Sequence, residues 1–211
     1  MPNRIHGSLI EPLSMNESVF APGTAIPAAN LAQAADRAHP VRLTDLLVWD
    51  DFTARLPAAA ANDDLGLVTG TWGTHVPTVQ AGDLKGVGAT TRRAGFLWPL
   101  PPNYDLAQSL SCRIRAGMQT TVADNACTLD LEVFLVGQDG NVDGADLYAD
   151  PAIDVNQLAE ADREFELTGS GLSERGLVLM GRISLTCNDA ATGTAVTPTI
   201  YSVSMLVDTR G

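Results

Sequence analysis

From about residue 110 onward, apolar and polar residues alternate with a period of two, and the alternation continues almost to the last residue. In Leu110–Ala116, Cys112, Ile114 and Ala116 share a face, with Arg113 and Arg115 opposite. In Thr128–Val136, Leu129, Leu131, Val133 and Leu135 share a face, with Thr128, Asp130 and Glu132 opposite. Phe165 and Leu167 alternate with Glu164 and Glu166. Leu177, Leu179, Ile183 and Leu185 alternate with Met180, Arg182, Ser184 and Thr186. Tyr201, Val203, Met205 and Val207 alternate with Ser202, Ser204 and Leu206. A helix places i and i+2 on opposite faces, so these patterns reject helix and predict strands. Strands with one apolar face each predict an all-β, antiparallel β-sandwich with inner faces about 10 Å apart. Long connections between them favour a jelly-roll-like or Greek-key order.

Upstream the pattern dissolves. Residues 1–40 mix Pro2, Pro12, Pro22, Pro27 and Pro40 with Asn, Ser and Ala. Their apolar residues, Ile10, Leu13, Phe20 and Ile26, follow neither period. This predicts an extended N-terminal arm over 1–40 and a β-sandwich body over 41–211, with one short helix at Ala28–Ala38. Proline already fixes φ, which lowers the entropy an arm loses on docking. Ile10, Phe20 and Ile26 are therefore the candidate partner-binding residues of the arm. Val41–Asp50 reads as the first strand of the body, and the Gly-, Ala- and Thr-rich residues 51–93 as short strands with long loops.

Charge narrows the choice of partner. The formal net charge is −12, against the sign a nucleic acid or an anionic bilayer requires. Twelve acids between 121 and 170 face Arg163 alone, so the rest of the chain is nearly neutral. The reading is an acidic face kept in water while neutral surface meets partners. No apolar run approaches the ~18 residues of a transmembrane helix, and the first residues lead into no signal-like apolar stretch. Cys112, Cys127 and Cys187 read as reduced, buried hydrophobes; Cys112 and Cys127 are the two that could face each other on neighbouring strands.

Candidate chemistry is sparse. Asp139, Asn141, Asp143 and Gly144, with Asp150 eleven positions after Asp139, match the spacing of a calcium loop. The preceding segment reads as a strand, and the same residues are ordinary hairpin formers. Calcium is thus the single cofactor candidate, and no cofactor is the main reading. The three histidines, His6, His39 and His75, are far apart, and no nucleophile, phosphate-loop or zinc-protease motif is present, so no enzyme is expected. Trp49, Trp72 and Trp98 could form a sugar-stacking platform or serve as buried anchors.

Asp63-Asp64-Leu65-Gly66-Leu67, Gly70-Thr71, Ala116-Gly117-Met118, Thr120–Asp124 and the ending Ile200–Asp208 together resemble β-sandwich virion proteins of tailed bacteriophages, similar to capsid decoration (cement) proteins. The resemblance spans roughly residues 45–211. It implies a homotrimer made in the host cytoplasm and seated on the capsid surface, with the major capsid protein as partner and no catalytic residues. Two other roles remain open on the residues: a carbohydrate- or receptor-binding fibre or tail component, and an acidic β-sandwich hydrolase.

Overall fold

A computed structural model describes residues 37–209 apart from 86, 107, 120–126, 138, 168–171, 173–175 and 190–195. The strands are β1 (Arg37–Val41), β2 (Gly66–Val68), β3 (Thr78–Gln80), β4 (Val87–Pro99), β5 (Leu110–Met118), β6 (Cys127–Val136), β7 (Val142–Asp143), β8 (Ile153–Asp154), β9 (Ala161–Glu166), β10 (Val178–Asp189) and β11 (Pro198–Val207). They form two sheets whose named strands all pair antiparallel. The first runs β2-β3-β11-β5-β9, with β1 also paired to β11; the second runs β4-β10-β6-β7, with β8 also paired to β6. Neighbours in each sheet are mostly distant in sequence, and the body is an antiparallel, jelly-roll-like β-sandwich.

The period-two faces explain the core. Cys112, Ile114 and Ala116 of β5 and Val203, Met205 and Val207 of β11 are buried together with Leu129, Leu131 and Val133 of β6 and Leu179, Ile183 and Leu185 of β10. Tyr104 and Tyr148 are also buried, and each hydroxyl donates to a backbone carbonyl, at Gln108 and Leu110. Gly181 sits on the inner face directly across from Phe96, whose ring fills the space a side chain would need.

Four expectations change. The first strand is Arg37–Val41, not Val41–Asp50. After it a 3-10 turn, Leu43–Asp45, buries Leu46, and Leu47 then bridges to Gly95. The last four residues assigned to the arm therefore belong to a strand, where Pro40 is tolerated because β1 pairs with β11 alone. Of the helix expected at Ala28–Ala38, Arg37 and Ala38 are strand residues of β1 instead, and the others lie outside the described residues. Tyr201 is only half-buried: β11 bulges between Ile200 and Ser202, so Ile200 takes the inward position opposite Ala116 and the phase resumes at Val203. Finally, residues 51–93 were expected to hold short strands with long loops, but a 13-residue strand, β4, starts at Val87 and runs on to Pro99, with Ala94, Phe96 and Trp98 inward.

Candidate binding surfaces

The first surface is the loop between β2 and β3. Thr71 N–H donates to His75 O at 2.8 Å, and Thr74 and His75 N–H both donate to Thr71 O, closing a tight turn. Gly73 takes the left-handed φ of +75° that this turn requires. Trp72 is held at the tip with its ring wholly in water, at 102% relative exposure. Val76 is exposed beside it, and Thr71, Thr74 and His75 supply polar groups.

The second surface lies on the outer face of the second sheet. Pro99, Val178, Val136 and Val142 are register partners across β4, β10, β6 and β7. Leu97, Met180 and Phe134 form the next outward row. Leu97 is 50% and Val142 43% exposed, where a sandwich normally shows polar residues. The third row is Gly95, Arg182 and Glu132, and the segment after β1 folds over it. Phe52 and Trp49 approach Gly95 so closely that a Cβ there would lie 2.9 Å from the Phe52 ring. Phe52 itself holds a left-handed φ of 55°, a strained conformation for an aromatic residue.

Around Trp49 the charges are paired. Its indole N–H donates to Asp63 at 3.1 Å, and the Arg93 and Arg182 guanidinium carbons each lie 5.1 Å from its ring centre. Arg93 pairs with Asp63 at 3.7 Å, and Arg182 donates to Glu132 at 2.7 Å. A cleft of about 330 Å³ opens between this cluster and the apolar rows, lined by Trp49, Phe52, Phe134, Met180, Gly181 and Arg182. Burial pushes the nearby Asp130 carboxyl above its ordinary value, helped by the charges of Glu132 and Asp146.

The acidic stretch is not a bare face. Glu160 and Asp162 pair with Arg115, and Glu164 with Arg113, at 3.1–3.6 Å across β5 and β9. Asp146 and Asp154 accept the N–H two residues on, at Tyr148 and Asn156, in the manner of Asx turns. Of the calcium candidates, Asp139 accepts both the backbone and the side-chain N–H of Asn141, which holds its carboxyl below the usual range. Asp150 accepts Glu166 N–H at 3.1 Å instead. The Asp143 side chain lies outside the description, and among the described residues no group of three or more His, Cys, Asp or Glu gathers as a metal site.

The arm residues Ile10, Phe20 and Ile26 lie outside the described residues, as does Thr120–Asp124. The tryptophans do not form a joint platform: Trp98 is buried against His39, Trp49 is half-buried, and Trp72 projects alone. Cys127 faces Cys187 of β10, not Cys112, which belongs to the other sheet. The outward apolar rows went unread, although a signal existed: 133–136 (Val-Phe-Leu-Val) and 177–180 (Leu-Val-Leu-Met) are apolar on both faces.

No protein-family model matches the chain, and no curated protein matches it. Among solved structures, it is similar to the CBM22-1 xylan-binding domain of Xyn10C from Paenibacillus barcinonensis, at 10% identity and a TM-score of 0.38 over 70% of this chain and 83% of that one. It is also similar to the xylan-binding module CBM15, at 12% identity and 0.38 over 84% and 100%. A third is the enzymatically active domain of tailspike protein 4 of bacteriophage CBA120, at 9% identity and 0.36 over 70% and 18%. Likeness at this level carries nothing about ligand or role to this chain.

Proposed function

We infer that the protein is a non-enzymatic binding protein that engages carbohydrate, as a receptor-binding or fibre component, through the loop at residues 70–77. The observation that carries this reading is Trp72, an indole fully in water on a tip braced by three backbone hydrogen bonds. The C–H face of a pyranose stacks on such a ring, and its hydroxyls need the polar neighbours that Thr71, Thr74 and His75 offer. Among the described residues, His39 packs edge-on to Trp98 with Nε2 unbonded, and His75 is exposed in the loop. A glycan array tests the reading. At least one glycan should bind, and Trp72→Ala should abolish binding without moving the melting midpoint. Binding that survives Trp72→Ala, or no binding to any glycan, would sink it.

A second reading, capsid decoration, has an observation of its own. The outward apolar rows on β4, β10, β6 and β7 suit a protein partner. Four strands at ~4.8 Å spacing and two rows make a strip of a few hundred Å² at most, well below the ~800 Å² per partner of a stable pair. So small a contact works by repetition on a lattice, where avidity adds up. A homotrimer on a shell of the major capsid protein fits that need. Leu97→Lys with Val142→Lys, both at exposed positions, should then lower occupancy of phage shells at least tenfold; unchanged occupancy would end this reading.

A further inference from the structure

Cys127 opens β6 and lies directly across from Cys187 of β10, their Cα atoms being register partners. Both side chains are buried, and both are free thiols. Directly opposed residues in an antiparallel pair hold their Cβ atoms roughly 4.5–5.5 Å apart, close to the ~3.5–4.5 Å that a disulfide spans. We propose that Cys127 and Cys187 are a disulfide-forming pair, closed by a peroxide or a disulfide oxidant, that locks β6 to β10.

The two thiols face each other directly in the sheet, so either sulfur can attack an oxidant and the other can resolve the product. With hydrogen peroxide, one of the two sulfurs takes one oxygen as sulfenic acid and a first water leaves. The facing sulfur then displaces the hydroxyl as a second water, and the S–S bond forms. Two thiols are oxidised by two electrons and one peroxide is reduced. A small disulfide oxidant would pass through a mixed disulfide at one of the two cysteines and leave as two thiols.

Access comes from the strand ends. Cys127 is the first residue of β6, and the β10–β4 register breaks between Cys187 and Asp189. Strand ends open at lower free energy than sheet centres. Cys112 provides an internal control. It faces Met205 and Phe165, no cysteine is opposite it, and burial pushes its thiol up to about 12.

The test treats the folded full-length protein with excess hydrogen peroxide, then counts thiols and maps peptides after denaturation. The expected result is three thiols falling to one, with a single cross-link joining the Cys127 and Cys187 peptides. The melting midpoint should rise by roughly 5–10 °C, because the bond closes a long loop, and should return on reduction. Cys187→Ser should show no oxidant-dependent rise. Three surviving thiols, sulfinic acid without a cross-link, a bond through Cys112, or a closed bond with an unchanged or lower midpoint would each overturn the proposal. The wild-type thiol count decides even where the variant fails to fold.

Discussion

The Asp130 carboxyl works against its own charge. Desolvation raises its pKa above the ordinary 3.8, Glu132 and Asp146 add to this, and the Leu131 N–H and Arg182 oppose it. The native state therefore keeps a proton that the unfolded chain has already released. Its contribution favours folding below 3.8 and is lost as pH rises through the raised value. Asp130→Asn keeps an acceptor for Leu131 N–H but removes the cost of the charge. It should melt higher than wild type at pH 7, with the difference shrinking on acidification. Asp83 has the opposite sign: Val196 and Lys85 N–H groups hold its pKa below 3.8, so its contribution is present above that value and fades as pH falls below it. Gly181→Ala tests the inner face, because a Cβ there would stand 2.1 Å from the Phe96 ring. Thermal melting should show a loss of about 1–3 kcal/mol, the usual cost of overpacking. Calcium should leave the midpoint unmoved if Asp139 and Asn141 simply close their hairpin turn on each other.

At the scale of elements, β11 carries the first sheet, since β1, β3 and β5 all pair with it. Removing residues 201–207 should abolish cooperative melting; a soluble truncation with a sharp transition would show that the sheet tolerates its loss. Strands β5, β6, β10 and β11 were legible because each keeps one apolar face over several residues. The bulge at Tyr201 was not, because an extra residue changes the phase without changing the composition. Strand β4 was hidden by Thr90, Thr91, Arg92 and Arg93, whose side chains are only half-buried while Ala94, Phe96 and Trp98 face inward. Val41–Asp50 misled for the opposite reason. Its spacing mimics a strand, yet the chain turns as a 3-10 helix at Leu43–Asp45, and Leu47 then makes isolated bridges to Arg55 and Gly95.

Across the whole molecule, charge and apolar surface are arranged more locally than net charge implies. Much of the acidic stretch is tied into turns or paired with Arg113, Arg115 and Arg182. Exposed pairs of this kind are worth ~0–1 kcal/mol each, so they organise the surface more than they stabilise it. Of the candidate surfaces, Trp72 was visible in the sequence as a residue, but not as a fully exposed one: exposure depends on the turn that Thr71, Gly73 and His75 close. The outward apolar rows needed the register of four strands to become a surface.

The three tryptophans differ enough in exposure for fluorescence to separate them, with Trp98 buried, Trp49 half-buried and Trp72 in water. The most direct measurement is therefore an emission titration of wild type and Trp72→Phe with the best glycan from an array. Stacking should shift wild-type emission to the blue in a saturable way, and the shift should vanish in Trp72→Phe. Saturable glycan binding with no change in Trp72 emission, or an equal shift in Trp72→Phe, would contradict the role assigned to the loop.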